Sequence, residues 1–564
     1  MDKETRQRSF IRSLFEGQLD ETLVHPYPSM PAEERENLDM LLESMSRFLT
    51  QKVDARRIDE EEEIPAEVLA GMAELGLFGT SIPEAYDGFG LSAASYGRVL
   101  SALASHCGSL AATLGAHLGI GCKGIVLFGT EEQKKRWLPA CASGETIAAF
   151  CLTEPSSGSD AAHISARAEY EEKDGTWVLN GTKQWITNGG IAGVFTVFVQ
   201  TETARKERAM TAFVLERGMT GLSSGKAEKK MGLRGSSTTD VVMENVRVPD
   251  SARLGERGAG FKIAMEILNQ GRLGLAAACV GPSRRLIELS AEFARGRRAF
   301  GRTVADFEMI KAKFAEMILD TYSMESMVEV TTGLAVRGHD DSLEAALCKI
   351  HASEAMWRVV NHAVQINGGF GYMREYPFER SLRDARINPV FEGTNEILRL
   401  FVSLAGMQGP GRTLKEVKAA MAEPLAGLGV LREYATRRIR RAIGSARLAF
   451  ARPELQTEAS YVQEYVGLLA SSVESALRKH GKGIMEREYV QERIADATVD
   501  LYAMVCCISR ATTDPEPRHL LATRAFCERA WRRIRRNLRQ VESNSDEQTS
   551  AVADMILETG RYPF

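Results

Sequence analysis

Ala148-Ala149-Phe150-Cys151-Leu152-Thr153-Glu154-Pro155-Ser156-Ser157-Gly158-Ser159-Asp160 is the stretch where the chain changes its period. A short apolar run, Ala148 to Leu152, meets a Pro, Ser and Gly turn and reads as a strand. Before it, from Glu33 to about Gly129, the pattern is helical: Leu38, Leu41, Leu42, Met45 and Phe48 recur at three- and four-residue spacing, as one buried face requires. Turn chemistry interrupts that pattern at Ser81-Ile82-Pro83 and Asp87-Gly88-Phe89-Gly90. After it, Ala166 to Tyr170, Thr176 to Leu179, Val194 to Gln200, Thr211 to Leu215 and Asp240 to Val248 read as further strands. Turns such as Lys173-Asp174-Gly175 and Asn180-Gly181 separate them, and no helix intervenes. The spacing predicts a compact antiparallel sandwich or barrel.

Helix returns near Gly260. Amphipathic segments over 261–295, 306–335, 341–365 and 395–405, joined by short Gly-bearing breaks, predict an antiparallel four-helix bundle. Gly409-Pro410-Gly411 reads as a linker, and the remaining residues are helical and richer in arginine. Before all this lies an extension ending in His25-Pro26-Tyr27-Pro28, whose prolines suit an extended lead-in. The expected fold is mainly α with a central β domain. The expected units are an N-terminal extension (1–35), a helical domain (36–147), a β domain (148–250), a helical bundle (251–406) and an additional helical domain (413–564).

The 564 residues are 44% hydrophobic and 26% charged with a net charge of -4, an ordinary globular balance that gives no electrostatic case for nucleic acid. Nine cysteines are scattered without a C-x-x-C pair, which predicts reduced thiols in a cytosol-like compartment. No apolar run of membrane-spanning length is expected, nor a secretory h-region; Asp2 and Glu4 argue against a transit peptide. The expected location is the cytoplasm of a bacterial-type cell.

Several chemistries lack their motifs. There is no G-x-x-x-x-G-K-[ST], H-E-x-x-H or G-x-S-x-G, and the nine histidines are dispersed, so no metal site is expected. Gly88-Phe89-Gly90 and Gly255 to Gly260 lack the strand–turn–helix setting of a dinucleotide fingerprint. Two turns in the β region are more informative. Thr153 to Asp160 crowds hydroxyls and backbone N–H groups on a Gly-containing turn, suited to an anionic or heteroaromatic ligand, though a bland Ser-rich turn explains it equally. Trp185-Ile186-Thr187-Asn188-Gly189-Gly190 sets a large ring and a hydroxyl beside a turn, suited to covering a flat ring. Glu392 in Val390-Phe391-Glu392-Gly393-Thr394-Asn395-Glu396 is a carboxylate beside apolar residues, where lost hydration raises its pKa toward that of a useful base. A solvated turn with a helix cap is the alternative.

These motifs together resemble the acyl-CoA dehydrogenase family over nearly the whole chain. The matching signatures are Phe150 to Asp160, Lys183 to Gly189, Gly368-Gly369-Phe370-Gly371-Tyr372, Arg383-Asp384-Ala385 and Phe391 to Asn395. His480-Gly481-Lys482-Gly483-Ile484 and Asp500-Leu501-Tyr502-Ala503-Met504 are similar to the very-long-chain branch, which carries an extra helical domain. The resemblance implies FAD bound between the β domain and the bundle, and α,β-dehydrogenation of a long- or very-long-chain acyl-CoA to a trans-2-enoyl-CoA. Electrons would pass to electron-transfer flavoprotein, and the extension implies a homodimer. Alternatives within the resemblance are an acyl-CoA oxidase using oxygen and an assembly factor for a respiratory complex.

Carried over residue by residue, Glu392 matches the catalytic base. Phe150, Leu152, Thr153, Gly158, Ser159, Trp185, Ile186 and Thr187 match flavin-contacting positions. Arg297 matches an arginine at the pyrophosphate with Phe300 beside it, and Gln365, Gly368 and Gly369 match a stretch supplied by the dimer partner. Thr394 and Glu396 match residues near the flavin. Ser159, Arg272, Phe391 and Gly393 match substrate-binding positions. Some members carry the base beside the bundle arginine; here that neighbour is Gly271, which has no side chain to act. Phe307-Glu308 stands where many members have a His-Gln pair.

Two features stay open in the sequence. The small-residue run Ala111 to Gly121 suits either an acyl tunnel or close helix packing. The segment 431–452, with seven arginines and an opposing apolar stripe, suits either an anionic membrane surface or its own domain. A second basic run, Arg529 to Arg539, suits an acidic partner or solvent.

Overall fold

A computed structural model describes residues 8–202, 207–422, 429–436, 438 and 447–564. The chain forms two compact units: Pro28–Thr394, and a second made of Met1–Tyr27 with Asn395–Phe564.

In the larger unit, helices flank one eight-stranded sheet. The strands are β1 (Ala148–Cys151), β2 (Arg167–Glu171), β3 (Thr176–Thr187), β4 (Val194–Glu202), β5 (Arg208–Glu216), β6 (Leu222–Ser224), β7 (Thr238–Pro249) and β8 (Arg253–Leu254). They lie in the order β6-β7-β3-β2-β4-β5-β8, with β1 beside β4. Most strand pairs are antiparallel, as expected, but β1 and β2 each pair parallel to β4, which one chain of hairpins cannot produce. Asn180-Gly181, expected to end a strand, lies inside β3. The register against β7 shifts between Leu179 and Gly181, and Gly181 adopts φ 139°, so the pair forms a bulge rather than a turn.

The helical framework is set by α1 (Ala93–His106), α2 (Gly260–Gly296), α3 (Glu308–Val336) and α4 (Ser342–Asn367). Ser92 caps α1 by accepting from the Ser95 N–H at 3.2 Å. Small residues let α1 and α2 cross closely: a Cβ at Gly281 would sit 2.0 Å from the Ser101 carbonyl oxygen. The Ala111–Gly121 run forms Gly108–Leu114 followed by a π-helical turn, Gly115–Gly121. The helical stretch Gly108–Phe128 is long and apolar enough to cross a membrane, contrary to expectation, and 67% of its apolar window is buried inside the fold.

The second unit is helical. α5 (Asn395–Ala422) runs straight through Gly409-Pro410-Gly411, so the expected linker there is corrected. The glycines serve packing: a Cβ at Gly406 would lie 2.5 Å from the Phe15 ring, and one at Gly409 would strike the Glu16 carboxylate. The N-terminal lead-in is likewise not extended throughout, forming short helices at Phe10–Phe15 and Glu21–Val24. Helices Gln456–His480, Glu488–Thr513 and Pro517–Glu542 complete the unit's core. Part of the Arg529–Arg539 run is used internally: Arg533 pairs with the nearly buried Asp500 at 2.5 Å. Of the 431–452 segment, Arg437, Arg440 and Arg441 lie outside the described residues, while Leu431 to Thr436 is helical.

Candidate active site

Glu392 leaves the short turn after Ile387, whose carbonyl accepts from the Val390 N–H at 2.8 Å and the Phe391 N–H at 3.1 Å. Glu392 has φ 59° and Gly393 φ 89°, two consecutive left-handed residues, the first of them carrying a side chain. Each carbonyl of that pair accepts from a buried cation. Arg272 Nε of α2 donates to the Glu392 oxygen at 3.2 Å, and Lys349 Nζ of α4 donates to the Gly393 oxygen at 2.8 Å. The Glu392 N–H has no backbone acceptor among the described residues.

The residue as a whole is half-buried, yet its Oε2 is sealed from solvent and has no hydrogen-bond partner. Burial pushes the carboxyl up to about 7, against the opposing pull of Arg272 and Lys349. It sits where a side chain at position 271 would be: a Cβ on Gly271 would lie 2.7 Å from Glu392 Oε2 and 2.9 Å from Ile120 Cγ2. Gly271 therefore makes room for the carboxylate that arrives from the other segment.

A cleft of about 540 Å³, open to solvent, runs between α1, the π-helical turn and α2, and its lining residue Tyr96 lies within electrostatic reach of Glu392. Tyr96, Gly119, Gln270, Leu273, Gly274 and Ala277 are among its lining residues. The small-residue run is used differently at different positions. Gly119 lines the cleft, whereas a Cβ at Gly121 would lie 2.9 Å from the Ala148 backbone, a packing constraint.

The β-domain turns come together at the edge of β3. The register shift between Lys183 and Ile186 and the φ of 57° at Trp185 turn the indole outward, leaving it 61% exposed. Gln184 N–H donates to the Thr153 carbonyl at 2.9 Å, which brings Thr153 beside that ring. Thr153 and Thr187 are half-buried and Ser159 exposed, and a Cβ at Gly158 would meet nothing within 4 Å. An accessible ring flanked by hydroxyls and an open glycine turn fits a flat heteroaromatic group such as a flavin. Phe150, Leu152 and Ile186, predicted to contact the cofactor, turn their side chains into the core, which leaves their backbone to face this edge. Phe150 packs on Phe198 with centroids 5.0 Å apart, and Ile186 is only 2% exposed inside the β core.

Sequence reasoning missed the supports under this edge. Lys183 and Glu154 form a fully buried ion pair at 2.6 Å; Lys183 also donates to the Leu152 carbonyl at 3.1 Å. Glu154 further accepts from the Ser165 N–H at 2.5 Å and the Ala166 N–H at 3.0 Å. Asn188, at φ 67°, donates to the carbonyls of Thr113 at 3.0 Å and Ala148 at 3.2 Å, anchoring the end of β3. Lys349 was missed as well. Nothing in its local pattern separates it from a surface lysine on a helix.

The remaining predicted residues lie elsewhere. Arg297 follows α2, and Phe300, at φ 52°, is 94% exposed in the adjoining hairpin. Gln365, Gly368 and Gly369 lie exposed at the end of α4, tied to α2 by Asn367 donating to Ser290 Oγ at 3.1 Å. Along α2, Arg297 is about 38 Å from Arg272, from 25 residues at about 1.5 Å rise each. Arg272 itself is occupied with the Glu392 carbonyl and Asn269 Oδ1, the latter at 2.8 Å, so it acts on the turn that carries Glu392. Phe391 and Gly393 flank Glu392 half-buried, Thr394 ends the larger unit, and Glu396 lies exposed in the first turn of α5 in the second unit.

Family models described as acyl-CoA dehydrogenase N-terminal, middle and C-terminal domains match residues 35–145, 149–246 and 258–406. A model described as ACAD9/ACADV, C-terminal domain, matches residues 453–562. The chain is 41% identical over 554 residues to the mitochondrial very long-chain specific acyl-CoA dehydrogenase of Macaca fascicularis, covering 95% of this chain and 85% of that protein. Among solved structures, an acyl-CoA dehydrogenase complexed with FAD from Bacillus anthracis superposes with a TM-score of 0.81 at 31% identity, covering 98% of this chain and 96% of that one. A chain of a structure described as electron transferring flavoprotein of Acidaminococcus fermentans matches with a TM-score of 0.64 at 35% identity, over 67% of this chain and 98% of that one.

Proposed function

Because this chain belongs to the acyl-CoA dehydrogenase family, we propose that the Glu392 site removes the α-proton of a long- or very-long-chain acyl-CoA. The enzyme is an FAD-dependent acyl-CoA dehydrogenase. The observation that carries the assignment of the base is the sealed, unpartnered Oε2 of Glu392 beside the cleft, with the carboxyl raised to about 7. At that pKa the carboxylate form is present at working pH yet basic enough to take a proton.

The chain's own residues divide the work as follows. The cleft receives the acyl chain between α1 and α2, and the missing bulk at Gly97, Gly119 and Gly274 favours a long one. The Cα–H bond breaks, its proton goes to Glu392, and the electron pair forms the α,β double bond. Negative charge grows on the thioester oxygen as the proton leaves. The Glu392 N–H, its carbonyl neighbours already committed to Arg272 and Lys349, is the donor available to that oxygen. Bound there, FAD would supply the two-electron acceptor for the hydride that leaves the β-carbon. Thr153, Ser159, Trp185 and Thr187 would hold its ring at the edge of β3. The product is a trans-2-enoyl-CoA.

The electron acceptor we infer is an electron-transferring flavoprotein, in keeping with the neighbour described under that name. We also infer a homodimer: Arg297, Phe300, Gln365, Gly368 and Gly369 are all exposed, and in that assembly they would meet the cofactor of a second copy. Contact of the 431–452 segment with anionic lipid belongs to the same proposal. Liposome co-sedimentation unaffected by neutralising Arg437, Arg438, Arg440 and Arg441 would count against it. Nine buried thiols, none in a disulfide, suit a reducing compartment such as the cytoplasm.

An acyl-CoA chain-length series tests the reading. Saturated long-chain acyl-CoA should bleach the yellow flavin anaerobically and fastest among the lengths tried. A protein that bleaches with none of them is not acting as proposed, and rapid reoxidation by air would favour an oxidase.

A further inference from the structure

The peptide turn that carries Glu392 is held by two buried cations, one from each of two bundle helices. Lys349 is fully buried and donates to the Gly393 carbonyl at 2.8 Å. Arg272, only 6% exposed, donates to the preceding carbonyl, that of Glu392, at 3.2 Å. Both accepting residues are left-handed, so their carbonyls point where a turn of ordinary conformation would not send them. A lysine ammonium buried without exposure is expensive to keep in a fold, and a neutral side chain of similar length would fill the same space at less cost. The charge and the donor therefore call for an explanation beyond packing.

We infer that Lys349 is a positioning residue for the base: its bond to Gly393 fixes the turn so that the Glu392 carboxylate and N–H both face the acyl-CoA. This rests on Glu392 being the base. Fixing two successive carbonyls sets the planes of both peptides, and with them the direction of the Glu392 N–H and Cα–Cβ bonds. Arg272 alone would hold one plane and leave the next free to rotate.

Lys349 also acts electrostatically. The groups facing it are Glu392, Arg272 and Cys279 from other segments and Glu354 on its own helix; Tyr96 of α1 faces Glu392. Cys279 is pushed up to about 12 and Tyr96 is raised further above its ordinary value, both by burial, so neither carries charge near neutrality. Burial draws Lys349 itself down to about 8, leaving it protonated at pH 7. Its charge holds Glu392 below the value that burial alone would impose.

The test uses the FAD-loaded full chain and the variants K349M and K349R. In K349M, single-turnover flavin reduction by palmitoyl-CoA should slow about tenfold or more, the loss expected when a buried carbonyl is stranded and the base drifts. Acyl-CoA affinity, read from the spectral shift of a non-reducing enoyl-CoA, should change less than threefold. The acid limb of the rate profile should move up by about one pH unit. K349R keeps charge and donors, so its acid limb should stay at the wild-type pH, with a rate between the two. A wild-type rate and unmoved limb in K349M would overturn the inference. Should K349M not fold, K349R decides: a limb displaced by a full unit despite the retained charge overturns it, and an unmoved limb with a slowed rate upholds it. A wild-type protein that is never bleached by acyl-CoA would instead defeat the assignment of the base itself.

Discussion

Replacing Gly271 by alanine adds one methyl group and no polarity, on a helix that should welcome it. A Cβ there would stand 2.7 Å from Glu392 Oε2, 3.1 Å from its Cδ and 2.9 Å from Ile120 Cγ2. Ordinary contact begins near 3.4 Å, so the carboxylate must retreat by about 0.7 Å while Ile120 gives way on the other side. Displacing a catalytic group by about 1 Å costs about 100-fold in rate, so G271A should reduce flavin about 30- to 100-fold more slowly. Stability should fall by at most about 2 kcal/mol. Alanine gains about 1 kcal/mol over glycine within a helix, and the overpacking takes back about 1–3 kcal/mol. The assay is anaerobic stopped-flow bleaching by palmitoyl-CoA, paired with a thermal melt of the same preparation. G274A, one turn further along α2, is the control. Its Cβ would rest 3.3 Å from Leu100 Cδ1 and 3.8 Å from Tyr96 Cε1, clear of the base. It should spare short acyl chains and slow long ones. If G271A bleaches within threefold of the wild-type rate with its fold intact, Glu392 is not held against Gly271 during the reaction and the argument fails.

E392Q should retain FAD and bind acyl-CoA while flavin reduction is abolished, and the wild-type kcat/KM should fall as pH drops below about 7, where Glu392 becomes protonated. The same variant has a signature in stability. A carboxyl raised from 4.5 to about 7 by folding favours the fold at low pH and loses that favour as pH rises through 7. E392Q should therefore match the wild type near pH 4 and exceed it at pH 8 by at most about 3 kcal/mol, measured by urea unfolding. K183M leaves the Glu154 carboxylate in the β core without its cation and should cost about 3–5 kcal/mol, with FAD retention on gel filtration weakened because Leu152 and Glu154 on either side of Thr153 lose their anchor. W185A, by contrast, removes a 61% exposed ring and should shift the unfolding midpoint little while weakening FAD retention at least tenfold; unchanged retention would remove Trp185 from the flavin site.

The periodicities were enough to place most elements, because a helix or strand with one buried face writes its period directly into the order of apolar residues. Ala148 to Cys151, the long helix from Gly260 and the helix from Ser342 all follow from local pattern, and Glu392 could be singled out by its apolar neighbours. Glycine and proline misled where their reason was distant in the chain. Gly409-Pro410-Gly411 reads as a break, yet Gly406 and Gly409 are small because Phe15 and Glu16 press against them, some 390 residues earlier in the chain. Asn180-Gly181 reads as a turn because the bulge it makes is defined only against β7. What the tertiary structure alone decided is the electrostatics of the site. Glu392 has a raised pKa because it is buried in the space Gly271 leaves, and its turn is held because Arg272 and Lys349, 120 residues before it and 44 residues before its neighbour, bond successive carbonyls. Burial and charge proximity are sums over the surrounding volume, so no window of sequence contains them.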